Sequence, residues 1–267
     1  MITLLTDFGL RDPYVGQMKG VIAGIAPEAR VVDLTHLVPP QDLVAGAVAL
    51  DAAVDAFEAG AVHVAVVDPG VGTQRRAIAV RTRDFFLVGP DNGIFTLVLD
   101  RHPARQIVRL SNRTYHYRAA DGPASSTFHG RDVFAPAAAH LEAGVSIDAL
   151  GEPMDKLVRL DLPRPKIGER AITAHVLAAD HFGNLFTDLT AGQLVDWLGE
   201  TARDAVELRV GDAVIRGISR TFADVEPGEP VAYVGSGGRL EIAVRNGHAE
   251  DALDAGPGAA VHLARPG

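Results

Sequence analysis

Hydrophobic positions fall into two textures along the chain, and the change between them sets the domain plan. From residue 1 to residue 158, short apolar runs alternate with helical spacing. Ile2 to Thr6 is one such run, stopped by the turn signal Asp7-Phe8-Gly9. Tyr14, Val15, Met18, Val21, Ile22 and Ile25 then recur at i, i+3, i+4 and i+7, which predicts a helix over Tyr14 to Ile25. Val31 to Leu34 reads as a strand, and an alanine- and valine-rich helix follows over Leu43 to Phe57 with Asp42 as its N-cap. Ala61 to Val67 is apolar enough for a strand buried on both faces of a parallel sheet. Ala77 to Val80 and Phe85 to Val88 come next with no helix between them, so part of the sheet is expected to be antiparallel. An irregular stretch, Ser111 to Thr127, leads to a helix near Val133 to Glu142.

The texture changes near Leu157 to Pro165, where Leu162-Pro163-Arg164-Pro165 reads as a linker. Beyond it lie short strands at Val206 to Val210, Ala213 to Ile218, Pro230 to Val234 and Leu240 to Val244, and only Thr190 to Leu198 reads as a helix. Short strands with turns such as Gly211-Asp212 predict a small β-barrel or sandwich. The expected plan is an α/β N-terminal domain with a mixed central sheet, residues 1–158, and a smaller, mostly β C-terminal domain, residues 159–267.

Composition narrows the function classes. With 47% hydrophobic and 22% charged residues the chain belongs to neither a disordered nor a fibrous class. The absence of cysteine excludes disulfides, thiolate nucleophiles and cysteine-zinc sites, and fits a reducing, cytoplasmic setting. A formal net charge of -9 without any basic stripe speaks against nucleic acid, whose binding draws on phosphate neutralisation. Met1 to Asp7 reads as a strand and not as a signal peptide. The most apolar region, Val44 to Val67, is broken by Asp51, Asp55, Glu58 and His63, so no membrane span is expected.

Ligands of open α/β sheets bind outside the carboxyl ends of the strands. The residues expected there are Asp7-Phe8-Gly9, His36, Asp68-Pro69-Gly70-Val71-Gly72 and Pro90-Asp91-Asn92-Gly93. Carboxylates dominate, which suits ribose hydroxyls, ammonium groups or a metal. The Gly70-Val71-Gly72 turn runs on into another strand and offers no helix N-terminus to a phosphate, and no P-loop or dinucleotide fingerprint occurs. Singly, these residues decide nothing. Asp7 and Asp68 also suit turns, Arg75 a surface charge, and His129 the position before a helix capped by Asp132. A metal site lacks His-x-x-x-His or similar spacing.

Together the segments resemble the S-adenosyl-L-methionine (SAM) hydroxide adenosyltransferase family, the SAM hydrolases, related to SAM-dependent fluorinase and chlorinase. The resemblance rests on Thr6-Asp7-Phe8-Gly9 with Asp12, Tyr14-Val15-Gly16 and Met18-Lys19-Gly20; Val67 to Gly72 with Arg75-Arg76; Pro90 to Gly93; Phe128 to Phe134; and Asp180-His181-Phe182-Gly183-Asn184. A weaker match covers Ser236 to Val244. It implies an N-terminal α/β domain, a C-terminal β-barrel domain, and a homotrimer with SAM between the first domain of one subunit and the second domain of its neighbour. Asp7 resembles the carboxylate that holds both ribose hydroxyls. Asp12, Tyr14, Asp180 and Ser236 resemble positions around the methionine end, Phe182 and Asn184 the adenine pocket, and Phe128 a further substrate contact. Asp68, Arg75 and His129 match the hydrolytic trio.

The implied reaction is in-line attack of water at ribose C5′, giving adenosine and L-methionine without metal or other cofactor. Halogenating relatives carry non-acidic residues at the position of Asp68 and lack the histidine of His129. A carboxylate beside a halide repels it by roughly 4 kcal/mol at about 4 Å and moderate dielectric. Gly237 stands where those relatives have arginine, and the adenine contacts near residues 244–247 are not assignable to one residue. The competing readings are a SAM-dependent halogenase, a non-catalytic SAM or adenosine binder, and a metal-dependent hydrolase.

Overall fold

In the computed structural model, which describes residues 1–117, 125–199 and 203–265, the first compact unit is Met1–Leu160. Its elements are β1 (Ile2–Thr6), α1 (Tyr14–Ile25), β2 (Val31–Thr35), α2 (Leu43–Ala53), β3 (Val62–Val66), β4 (Ala77–Arg81), β5 (Phe86–Pro90), α3 (Thr96–Arg101), β6 (Gln106–Arg109), α4 (Ala135–Glu142) and β7 (Glu152–Pro153). The sheet order is β2-β1-β3-β5-β4-β6-β7. Strands β1, β2, β3 and β5 run parallel, while β4, β6 and β7 are joined antiparallel. The sheet is mixed because β4 and β5 are linked too closely for a crossover helix.

Both central strands, β1 and β3, are buried along their whole length, as a sheet covered on two faces requires. Ile2, Leu4, Val62, Val64 and Val66 face one layer, packed with Met18 and Ile22 of α1 and Ala135, Ala138 and Leu141 of α4. Leu5, Ala65 and Val67 face the other, with Leu50 of α2 and Val98 and Leu99 of α3. Two histidines are buried in this framework through threonines: Thr3 Oγ1 pairs with His63 Nδ1 at 2.8 Å, and Thr6 Oγ1 with His36 Nδ1 at 2.9 Å.

Asp42 caps α2 as expected, accepting the Ala45 N–H at 2.9 Å. The helix ends at Ala53 and tightens into a 3-10 turn over Val54–Ala56, short of Phe57. Helix α4 is preceded by a π turn over Gly130–Phe134. Asp132 does not cap it: its buried carboxylate accepts the Ser125 N–H at 2.6 Å and pairs with Arg131 at 2.5 Å. Within the irregular stretch Arg113–Tyr115 is a 3-10 turn, and residues 118–124 lie outside those described.

The second unit, Asp161–Gly267, contains β8 (Lys166–Ile167), β9 (Ala171–Ala179), β10 (Leu185–Thr190), α5 (Ala191–Leu198), β11 (Glu207–Val210), β12 (Ala213–Arg216), β13 (Pro230–Val234), β14 (Arg239–Val244), α6 (Ala249–Ala252) and β15 (Ala260–Ala264). Its strands follow the order β12-β11-β15-β9-β10-β14-β13, with β8 beside β9. Past β12, Ser219 donates its N–H to Ala232 O at 2.8 Å, which nearly closes the sheet into a barrel around Ile172, Val176, Leu208, Ile242 and Leu263. Thr190 and Gln193 form a capping box that starts α5. Strands β9, β10 and β15 carry no clear signal in the sequence pattern.

Candidate active site

The carboxyl ends of β1, β2, β3 and β5 meet at one edge of the first sheet, and the loops that leave them carry most of the candidate residues. Asp68 follows β3. Arg75, on the loop back to β4, donates from Nε to Asp68 Oδ1 at 2.9 Å and from Nη2 to Oδ2. The same Nη2 faces His129 Nδ1 at 2.9 Å. One guanidinium therefore joins the carboxylate to the imidazole. The Arg75 and Asp68 side chains are 9% and 5% exposed, so the pair is shielded from bulk water. The Arg75 guanidinium also sits 5.3 Å from the Phe134 ring centroid.

This arrangement fixes the histidine's tautomer. A guanidinium only donates, so Nδ1 accepts and the proton of the neutral ring is on Nε2. Burial, then the charge of Arg75, pushes the His129 pKa below the ordinary 6.5 and keeps the ring neutral. Each oxygen of Asp68 retains a lone pair beyond the one used by Arg75. The trio thus offers carboxylate acceptors and an imidazole N–H donor side by side.

Gly72 makes the approach of the two loops possible. Its φ is +78°, and a Cβ there would lie 2.7 Å from the Ser126 carbonyl oxygen, three residues before His129. Asn92 supports the same loop by donating Nδ2–H to Val67 O at 2.8 Å, and Asp91 pairs with Arg76.

Asp68 and His129 line a cavity of about 250 Å³ together with Phe8, Tyr14, Val66, Val71, Thr127, Phe128 and Gly130. Phe8, Tyr14 and Phe128 make an edge-to-face cluster, with centroids 5.9, 5.7 and 5.2 Å apart. The cavity is thus apolar and aromatic on one side and polar where the trio stands. Asp7 and Asp12 lie on the loop between β1 and α1 without lining it. Asp7 Oδ2 accepts the Gln41 N–H at 2.8 Å.

The other candidates belong to the second unit. Asp180 Oδ1 accepts the N–H groups of Phe182 and Asn184, both at 2.9 Å, and Oδ2 accepts Asn184 Nδ2–H at 2.9 Å. This turn presents Phe182 outward, 69% exposed, and Ser236 occupies the turn between β13 and β14. Among the described residues no group of three His, Asp or Glu is placed to hold a metal ion, and no helix is long and apolar enough to cross a membrane.

No site role is legible in the sequence for Val66, Val71, Thr127 and Gly130, which complete the cavity, nor for Gln41, whose backbone holds Asp7. Phe8, Val71 and Gly130 lie inside the matching segments, so proximity to Asp7, Asp68 and His129 was their only signal.

Comparison with known proteins agrees with this architecture. Residues 2–151 match the SAM hydroxide adenosyltransferase N-terminal domain, and residues 174–262 match its C-terminal domain. A protein of Thermus thermophilus named (R)-S-adenosyl-L-methionine hydrolase is 44% identical over 98% of each chain. A fluorinase of an Actinoplanes species is 27% identical over 91% of this chain and 90% of its own. The fold is similar to that of an uncharacterized conserved protein from Thermotoga maritima, with TM-score 0.92, 35% identity and coverage of 99% and 100% of the two chains. The chain belongs to the SAM hydroxide adenosyltransferase family.

Proposed function

We infer that this protein hydrolyses S-adenosyl-L-methionine to adenosine and L-methionine. The observation that carries the reading is the single guanidinium of Arg75 bridging Asp68 and His129 at the wall of an aromatic cavity. The water oxygen forms the new bond to ribose C5′ while the C5′–S bond breaks and its electron pair stays on sulfur. Methionine leaves as a neutral thioether, so no acid is needed to protonate it. One proton is released from the water.

The residue roles follow from the donor pattern. Asp68 accepts a water O–H through a free lone pair and receives the proton. His129 donates its Nε2–H to the water and holds the oxygen in place. It is not the base, because Nδ1 already accepts from Arg75. Base assistance contributes typically about 10²–10⁴-fold, and alignment adds to it. Arg75 offsets the charge of Asp68, so simple repulsion of a halide is weaker than for a lone carboxylate. Selection of water over halide rests instead on Asp68 as an acceptor, which water satisfies with an O–H and a halide cannot.

In substrate recognition Asp7 holds the ribose hydroxyls, and Asp12, Tyr14, Asp180 and Ser236 surround the methionine end. Phe128, Phe182 and Asn184 border the nucleoside. Residues 1–158 thus supply the reacting centre, and residues 159–267 supply adenine and methionine contacts. A homotrimer with sites between subunits, acting in the cytoplasm, belongs to the same reading; sedimentation at catalytic concentrations tests the assembly.

The direct test is incubation of the purified protein with SAM in ¹⁸O-water and separation of the products. The label is expected in the adenosine 5′-hydroxyl. Halogenated nucleoside in the presence of chloride or fluoride, or adenosine that co-purifies without turnover, refutes the reading in favour of a halogenase or a sensor.

A further inference from the structure

The loop from β2 to α2 contains a strained residue aimed at the substrate-side carboxylate. Asp42 N–H donates to Pro39 O at 3.0 Å, Pro40 fixes the second position of the turn, and Gln41 occupies the third at φ +66°. That is the hydrogen bond and backbone sign of a type II turn, whose third position ordinarily calls for glycine or asparagine. Only Gln41, Asn246 and Asp254 adopt positive φ among the described non-glycine residues, and of these glutamine is the least suited to it. The turn is locked at both ends: Pro39 and Pro40 are its first two residues, and Asp42, its fourth, is also the cap of α2. The result is that the Gln41 N–H points at Asp7 Oδ2, at 2.8 Å.

The opposite loop is tied down as well. Gly9 N–H donates to His36 O at 2.8 Å, Phe8 N–H to Thr6 Oγ1 at 3.2 Å, and Thr6 Oγ1 pairs with buried His36. Asp7 Oδ1 takes no hydrogen bond from the described residues. One oxygen of Asp7 is thus clamped while the other stays open.

We propose that Gln41 is a positioning residue for Asp7: its left-handed backbone aims an N–H that orients the carboxylate toward two vicinal hydroxyls of the substrate ribose. The inference rests on Asp7 as the hydroxyl-binding group of the proposed hydrolase. The side chain of Gln41 is exposed and is not required for the effect; the backbone conformation is.

The test titrates adenosine and 2′,3′-dideoxyadenosine into the full-length protein by calorimetry. Wild type is expected to prefer adenosine. Gln41→Asn and Gln41→Gly keep that preference, because both residues accept the left-handed region. Gln41→Val, β-branched and ill-suited there, reduces the preference by roughly tenfold through loss of one charge-assisted hydrogen bond. Its KM for SAM rises, while kcat at saturation stays near wild type. Preference retained in a folded Gln41→Val protein overturns the inference. So does preference lost in Gln41→Asn or Gln41→Gly, which applies even where the valine variant does not fold. Asp7→Ala separates the two levels: if wild type and Asp7→Ala discriminate the nucleosides equally, the hydroxyl-binding role of Asp7 is itself wrong.

Discussion

Replacing His129 with glutamine separates a histidine that donates from one that accepts a proton. The ring makes two contacts in the proposed mechanism: Nδ1 accepts from Arg75 at 2.9 Å, and Nε2–H is directed to the water. Glutamine supplies an acceptor oxygen and a donor nitrogen on one amide but cannot take up a proton. If His129 only donates, His129→Gln retains kcat to within about tenfold, the loss expected from imperfect placement of one hydrogen bond. His129→Ala removes the partner of a buried guanidinium N–H as well as the donor to water. At about 1.5–3 kcal/mol for a hydrogen bond to a charged group, it loses roughly 10–150-fold. The pH profile gives a second reading. Protonation would place a hydrogen on Nδ1 facing Arg75, so the active form is the neutral ring. Because the folded pKa lies below 6.5, wild-type kcat falls as pH drops through that depressed value and is level above it. In His129→Gln this acid limb disappears. Steady-state assays of all three proteins between pH 4.5 and 8, with thermal melts to confirm folding, decide the matter. A folded His129→Gln protein as inactive as His129→Ala, with unchanged KM, refutes the donor assignment.

Further outcomes follow from the same geometry. Arg75→Ala strands a carboxylate whose side chain is only 5% exposed, and should destabilise the protein by about 3–5 kcal/mol, read as a lowered urea midpoint, with turnover lost. Gly72→Ala, forced to φ +78° with its Cβ 2.7 Å from Ser126 O, should separate the Arg75 and His129 loops; kcat falls by at least tenfold, and wild-type kcat would sink this account. His63 is wholly buried, and burial holds its pKa down to about 4. Its unfolded form binds a proton from about pH 6.5 downward, so stability is lost as pH falls from 6.5 to about 4, by on the order of 3 kcal/mol. Urea melts at pH 7 and pH 4.5 should show a smaller drop in His63→Gln than in wild type.

Most of the first unit was legible because its signals are local. The apolar spacing of Tyr14 to Ile25 marks the buried face of α1, Asp42 announces α2, and the unbroken run Ala61 to Val67 betrays a strand covered on both sides. The strand pattern failed where tertiary pairing overrides propensity. Strand β9, Ala171–Ala179, is alanine-rich and suits a helix by propensity; it is a strand because Ile172, Ala174 and Val176 alternate into the barrel core between β10 and β15. In the site, Asp68, Arg75 and His129 were legible as motif positions, but not that one nitrogen of Arg75 serves both partners across 54 positions of sequence. The tautomer follows from that contact alone. The clamp on Asp7 left no trace at all, since a backbone N–H carries no residue signature and Gln41 is an improbable occupant of its own conformation.

The proposed division of labour turns on charge. SAM enters as a cation at sulfur, and methionine departs neutral, so positive charge is lost as the reaction proceeds. Carboxylates such as Asp7, Asp12 and Asp180 therefore favour the bound ground state and do not lower the barrier from it. What remains for acceleration is the wall formed by Asp68, Arg75 and His129, where carboxylate and guanidinium cancel and the imidazole is neutral. Such a wall has little net field with which to attract the sulfonium or expel a halide. Its contribution is direction: an acceptor and a donor held in place by buried, charge-assisted hydrogen bonds orient a water with little reorganisation left to do. On this logic two unlike substitutions give opposite results. His129→Gln changes the chemistry of a ring but preserves donor and acceptor, and is expected to keep much of the activity. Gly72→Ala adds one methyl group and removes no polar atom, yet by pressing on the Ser126 carbonyl oxygen and moving the loops apart it removes the alignment on which the rate depends.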